Sequence, residues 1–319
     1  MRPDSSTAAA AVPAPLQARR RRRRLARGTA PYLLLAPAGA VIAAVLGYPL
    51  YKLVTLSFQQ YGLFELLAHK GKWIGLDNYS KILHDATFWH VLWRTALFTV
   101  VNVGLTMVLG TLVAILLAKL GTFMRLLLTM GLVLVWSMPP VVSVNIWNWM
   151  VDYEFGVLNW TLTKLHIGDF THHDWFVSPV QGFAVITAIV VWGAIPFVAI
   201  TVFAGLTQVP RELVEAAEID GAGPLRIFRD ITFPILKPIF VILASLSVIW
   251  DFQVFNQIWI IRNSRPEADY FLMSIYSFVT SFNVSQYGLG SAIALTMVLI
   301  MFGVTFVYIR QMVRIGEID

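Results

Sequence analysis

Six stretches of this sequence, 30–58, 91–118, 126–151, 180–206, 239–261 and 289–309, each run past twenty residues with apolar side chains on every side. A helix of about 20 residues crosses the hydrocarbon core of a bilayer, and a helix survives there because it closes its own backbone hydrogen bonds. The surface helix of a water-soluble protein would carry a polar face, and these carry none. Of the whole chain 57% is hydrophobic and 13% charged, against about 25% charged in soluble domains. A soluble fold has no place to hide that much apolar surface. The expected fold class is an all-α integral membrane protein of about six transmembrane helices. Pro139, Pro140 and Pro196 fall inside spans and predict kinks that face neighbouring helices or a cavity. With no cysteine in the chain, disulfides, thiol catalysis and Cys-ligated metals are excluded.

Basic residues set the orientation. With the N-terminus in the cytoplasm, the inside segments hold Arg2, Arg19 to Arg24, Arg27, Lys119, Arg125, Arg211, Arg226, Arg229, Lys237, Arg310 and Arg314. The outside segments hold only Lys70, Lys72, Lys81, Lys164, Arg262 and Arg265. The expected organisation is a disordered basic tail (1–29), a first span (30–58), an external segment (59–90), a five-span core (91–310) with a cytoplasmic loop at 208–237, and a short cytoplasmic tail (311–319). Both termini are expected inside. Six consecutive arginines from Arg19 to Arg24 precede apolar sequence directly, which suits contact with anionic lipid rather than nucleic acid. Ala36-Pro37-Ala38 is like a cleavage site, yet the apolar run continues to Phe58, so an uncleaved anchor is expected. The external stretch from Trp73 to Tyr79 mixes polar and aromatic residues and suits a cap at the membrane surface. A second external segment gathers His166, Asp169, His172, His173 and Asp174. They lack the helical His-to-His spacing and catalytic Glu of a zinc site, so no metal is expected there.

The loop between the fourth and fifth spans is the most specific part of the chain. Pro210 suits the first turn of a short helix, with Glu212 and Glu215 near its positive end. Asp220-Gly221 stops that helix, Pro224 opens a second, and Pro234 is expected to end it. Ala216 and Ala217 stand beside Leu213 as a small-residue face on which another protein's groove can close. The loop resembles the EAA coupling loop of the membrane subunits of binding-protein-dependent ABC importers. In that family Glu-Ala-Ala is followed after three residues by Gly, after nine more by Ile, and after one more by Leu-Pro. Glu215-Ala216-Ala217, Gly221, Ile231 and Phe233-Pro234 keep every spacing, with Phe233 in place of Leu. The resemblance implies that Glu215, Ala216, Ala217, Asp220, Gly221, Ile231 and Pro234 couple the chain to an ATPase. Trp136 through Trp147 and Phe155 to Asn159 look like the third-span region of sugar permeases. Trp192 to Phe197 looks like their segment before the coupling loop. Trp250, Phe252, Phe255 and Asn256 resemble the fifth-span pattern, with Asn256 replacing a frequent Asp. The match extends to all but the arginine tail and is nearest the maltose- and glycerol-phosphate-type permeases, the carbohydrate branch.

That resemblance implies an importer permease fold with cytoplasmic coupling helices in a bacterial cytoplasmic (inner) membrane. It implies alternating access together with a second permease subunit, a dimer of ABC ATPase subunits and an extracytoplasmic solute-binding protein that delivers the sugar. Membrane lipid is the remaining partner, and no nucleic acid is expected. No cofactor is expected on this chain; ATP and Mg belong to the partner ATPase. The one Gly-Lys pair, Gly71-Lys72, precedes Trp73 and forms no phosphate loop, so the chain is expected to be non-catalytic. Asp251 lies in the fifth span, where an acid costs roughly 2.5–3.5 kcal/mol, and is expected to face the bundle interior. Asn102, Asn145, Asn148, Gln253, Asn256 and Gln257 add amides, and Trp147, Trp192, Trp250 and Phe197 add the flat apolar faces on which sugars stack. The same residue types also hold membrane helices together. The resemblance raises Trp192, Gly193, Ala194, Phe197, Ser247, Trp250 and Asp251 as substrate-pathway residues, beside Asn145 and Asn256. Two readings compete: a proton-coupled secondary carrier with Asp251 as relay, and an ABC permease for a solute other than sugar. No Arg or Lys sits mid-span, which favours a neutral substrate over a phosphate.

Overall fold

A computed structural model of the chain describes residues 32 and 34–316, so the expected basic tail at 1–29 lies outside the described residues. The chain divides into two units, Met1–Thr55 and Leu56–Asp319. The first consists, among its described residues, of most of α1 (Leu34–Ser57), an apolar helix of 24 residues with no residue of its apolar window buried. Its turns widen at Ala43–Gly47 into a π-helical stretch.

The second unit opens with a cap. Gln59–Gln60 (β1) pairs antiparallel with Lys72–Trp73 (β2) around the short helix α2 (Leu63–Ala68), and α3 (Asp77–His84) follows. Asn78 pins it: the buried amide donates to the carbonyls of Ser57 (3.0 Å) and Gln59 (2.9 Å). Trp73 stacks on Phe58 with ring centroids 5.6 Å apart. The polar-aromatic stretch thus folds as a compact cap.

Five apolar elements make the bundle: α4 (Ala86–Lys119), α5 (Thr122–Ser137) with α6 (Pro140–Met150), α8 (Pro179–Leu206), α11 (Phe233–Phe252) with α12 (Asn256–Ile261), and α14 (Tyr287–Gly316). Between them lie α7 (Val157–Lys164), the α9–α10 segment (Arg211–Ile219 and Pro224–Ile227) and α13 (Met273–Phe278). α4 starts at Asp85, whose carboxylate accepts the Thr87 N–H (2.8 Å) and the Tyr276 hydroxyl (2.7 Å). Its buried residues Val91, Thr95, Phe98, Asn102, Thr106, Gly110, Ala114 and Leu117 recur every three or four positions and pack chiefly against α8. Gly110 lets the two helices meet closely, since a Cβ there would stand 2.6 Å from Val198. Small residues serve helix pairs in lipid in this way, because there the attraction is close packing rather than water exclusion.

The helices depart from six unbroken spans in three places. The third span is not one helix: α5 and α6 meet at 103°. Met138 and Pro139 each precede a proline, which pushes both out of the helical region, and their ψ values are 127° and 139°. Pro196, by contrast, sits inside an uninterrupted α8. The fifth span is interrupted at Gln253–Phe255 but continues to Ile261, so Asp251 lies within the span as expected, beside the interruption. The last helix continues to Gly316, so the tail expected from residue 311 is helical as far as it is described.

Candidate functional site

The α9–α10 segment has the geometry of a presented helix. Pro210 caps α9 from just outside, and Glu212 lies in its first turn. At the other end the Gly221 N–H donates to the Glu218 carbonyl (3.0 Å) and the Ala222 N–H to the Ala217 carbonyl (2.9 Å). That pair of bonds is a Schellman stop, which puts the residue after the cap in the left-handed region. Gly221 occupies it with φ of +80°, a conformation that costs glycine little. No residue of α9 is buried. Glu215, Ala216 and Asp220 are exposed and Ala217 is half-buried. Leu213, Ile219 (87% exposed) and Leu225 (80% exposed) add a large apolar surface at the same place. Ile219 and Leu225 were not among the expected coupling residues, although a bulky apolar side chain beside a helix stop is a readable signal.

The second half of the motif roots this helix pair in the bundle. Ile227 and Thr232 are buried and Ile231 is half-buried. Pro234 does not end the second helix as expected. The chain stays helical from Pro224 through a π-turn at Phe228–Thr232 into α11, with the Phe233 N–H reaching back to the Phe228 carbonyl. The wider turn accommodates Pro234 where an α-turn would meet its ring. A continuous helical rod therefore leads from Pro224, beside the presented helix, into the fifth span.

The expected pathway residues separate into two groups. Trp192, Gly193, Ala194 and Phe197 are half-buried on α8. Phe197 lies between Trp136 of α5 (6.1 Å, stacked) and Trp250 of α11 (5.2 Å, edge-on), and Trp192 meets Trp147 of α6 edge-on at 6.1 Å. Trp250 is 45% exposed, and a Cβ on Gly193 would meet open space. Two helices, α8 and α11, and the α5–α6 elbow thus contribute to an accessible aromatic wall. Ser247 and Asp251 are instead enclosed, each 4% exposed. Asn145 is exposed and donates to the Val141 carbonyl of its own helix (2.7 Å), and Asn256 is exposed at the start of α12.

α4 and α11 also bury a set of polar side chains, of which the sequence pointed only to Asn102 and Asp251. Thr99 Oγ1, Asn102 Oδ1, Thr106 Oγ1 and Thr111 Oγ1 of α4 and Asp251 Oδ2 of α11 are buried without a hydrogen-bond partner among the described residues. Buried oxygens of this kind are uncommon and mark places where helices carry function or exchange partners. The spacing of Thr95, Thr99, Asn102 and Thr106 is the sequence signal that was available. In the second external segment Asp169 and Asp174 accept the N–H groups of Thr171 (3.0 Å) and Phe176 (2.8 Å), while His172 packs on Tyr153 and His173 on Trp175. Those side chains hold a loop; among the described residues no three of them converge.

The comparisons with known proteins agree with one another. The family model described as "Binding-protein-dependent transport system inner membrane component" matches residues 106–315, well over half of the chain. The diacetylchitobiose uptake system permease protein DasB of Streptomyces coelicolor is 41% identical over 288 residues, covering 90% of this chain and 88% of the relative. The sulfoquinovosyl glycerol transport system permease protein SmoG of Agrobacterium fabrum is 34% identical over 278 residues, covering 87% and 88%. Among solved structures, a bacterial alginate ABC transporter in complex with an alginate pentasaccharide-bound periplasmic protein matches with a TM-score of 0.75, covering 92% of this chain and 97% of the other at 16% identity. That last likeness is one of fold.

Proposed function

This chain belongs to the family of inner-membrane components of binding-protein-dependent transport systems, and from that membership we propose that it is one permease subunit of an ATP-driven sugar importer. Sugar as the cargo is supported by the names of the relatives, an uptake system for diacetylchitobiose and one for sulfoquinovosyl glycerol. The aromatic wall of Trp136, Phe197 and Trp250, with Trp147 and Trp192 beside it, supplies the flat faces on which the CH surfaces of a saccharide pack. A second permease subunit completes the pathway, a pair of ATPase subunits binds ATP and Mg, and an extracytoplasmic binding protein delivers the cargo. This chain contributes no catalytic group, and both of its ends lie in the cytoplasm.

The observation that carries this reading is α9: a helix with no buried residue, stopped at Gly221 and followed directly by α10, which is continuous with the fifth span. Closure of an ATPase cleft on Glu215–Gly221 would move Phe233–Phe252 as a lever and reposition Trp250 against Phe197. Asp251 and Ser247, enclosed in this arrangement, become accessible as that packing changes. The test is copurification with the ATPase and binding-protein-stimulated ATP hydrolysis in reconstituted membranes. Gly221→Asp forces a branched, charged side chain into a left-handed backbone and is expected to leave the permease inserted while releasing or uncoupling the ATPase. Glu215→Ala is expected to do so more mildly. Normal stimulation and normal uptake in the Gly221→Asp complex would remove the coupling role from this loop.

A further inference from the structure

A cavity of about 1170 Å³ lies where α4, α11 and the α9–α10 segment converge. Its walls are apolar, with Val108 and Leu112 of α4 and Phe240 of α11 among them. Val108 and Leu112 are 59% and 57% exposed, so nothing else in this chain covers that side of α4 among the described residues. Five polar residues interrupt the apolar lining: Thr111, Lys119, Glu218, Thr232 and Lys237. Lys119, the last residue of α4, and Lys237, in the second turn of α11, both reach it, and neither forms an ion pair among the described residues. Thr111 is 8% exposed, and its hydroxyl has no hydrogen-bond partner among the described residues. Glu218 of α9 is the one carboxylate on the wall.

We propose that this cavity binds one anionic glycerophospholipid from the leaflet on the side of the α9–α10 segment, its phosphate on Lys119 and Lys237 and its acyl chains along Val108, Leu112 and Phe240. The chemistry of the lining selects this occupant. Both lysines belong to the ends of spanning helices nearest the α9–α10 segment, at the depth where a helix leaves hydrocarbon for headgroups. The acyl chains need the apolar wall below them, and an ester carbonyl can accept from the Thr111 hydroxyl. A transmembrane helix of another subunit would cover the apolar wall but brings no anion to the two lysines. The lipid would tie α4 to the rod that runs from α10 into α11, and so stiffen the joint between the presented helix and the bundle. The inference stands apart from the identity of the cargo, because it uses no pathway residue.

The experiment is a lipid titration of the purified, delipidated transporter complex, read by native mass spectrometry. Phosphatidylglycerol is compared with phosphatidylcholine of the same acyl chains, for wild type and for the K119Q/K237Q double variant. Phosphatidylglycerol is expected to be retained by wild type and to bind roughly 30-fold more weakly to the double variant, each lysine being worth about fivefold. Phosphatidylcholine should bind weakly to both. Glu218→Gln is expected to strengthen phosphatidylglycerol binding, a gain that misfolding does not produce. In the same samples phosphatidylglycerol should raise the unfolding temperature of wild type and leave that of the double variant unchanged, as ligand linkage requires. Equal binding of the two lipids to wild type, or undiminished phosphatidylglycerol binding by the double variant, overturns the proposal. So does efficient cross-linking of Leu112→Cys to a helix of another subunit in native membranes, which would give the cavity a protein occupant.

Discussion

Two glycines on facing helices show how differently one residue type is used. At Gly110 a Cβ would press into Val198, whereas at Gly193 it would meet nothing within 4 Å. Gly110→Ala should therefore lower the unfolding temperature of the detergent-solubilised protein, at an overpacking cost of about 1–3 kcal/mol, while Gly193→Ala should leave it unchanged. Equal effects at the two positions would mean that the α4–α8 contact is looser than its geometry. Asp251 poses the opposite problem, a carboxylate oxygen enclosed without a partner among the described residues. Asp251→Asn keeps the shape and removes the charge, so assembly should be retained or improved while sugar uptake falls several-fold. Unchanged uptake would take Asp251 out of the pathway. Loss of wild-type uptake on collapsing the proton gradient at constant ATP would favour a proton relay instead.

At the scale of elements, the start of α4 is the best-defined joint. Burial alone would raise the pKa of Asp85, but hydrogen bonds from the Tyr276 hydroxyl and the Thr87 N–H outweigh it and hold the carboxyl below its ordinary range. A group depressed in the folded state binds fewer protons there than when unfolded. Its stabilisation is then complete above the ordinary carboxylate pKa, about 4, and is lost as pH falls through the lower folded value. Asp85→Asn should flatten that acid limb in a thermal-stability profile, and Asp85→Ala should in addition remove the helix cap at about 1 kcal/mol. A wild-type profile with no acid limb in this range would show that ionisation of Asp85 contributes nothing to stability. The other telling element is α10 with its π-turn. By keeping the chain helical into α11 it makes the second half of the loop part of a span rather than a tether.

For the whole molecule the number of spans turns on the 103° elbow between α5 and α6. An elbow that crosses the bilayer gives six spans, and one that returns to its own side gives five and inverts everything after it. Reporter fusions after Arg22, Lys164, Arg226, Arg265 and Asp319 should read inside, outside, inside, outside, inside. An outside reading at Arg226 would make the elbow re-entrant and would also separate α9 from any cytoplasmic ATPase.

Hydropathy is local and additive, so the spans could be read residue by residue, to within a few positions for α8 and for the start of α14. The Glu215–Gly221 motif and the left-handed Gly221 were equally legible, because a helix stop is chemistry within one turn. The sequence was silent on rotation about the helix axes. Trp250 and Asp251 are neighbours, yet one is 45% exposed and the other 4%. In a helix that is apolar all round, no amphipathic pattern tells the packed face from the lipid face, since both are hydrocarbon. Close approaches such as Gly110 on Val198 and the placement of the buried polar side chains decide it, and these exist only once α4, α8 and α11 are together. The elbow at Met138–Pro139 was signalled by two prolines, but its angle was not. The cavity beside Lys119 and Lys237 was invisible for the same reason: its walls come from segments more than a hundred residues apart in sequence.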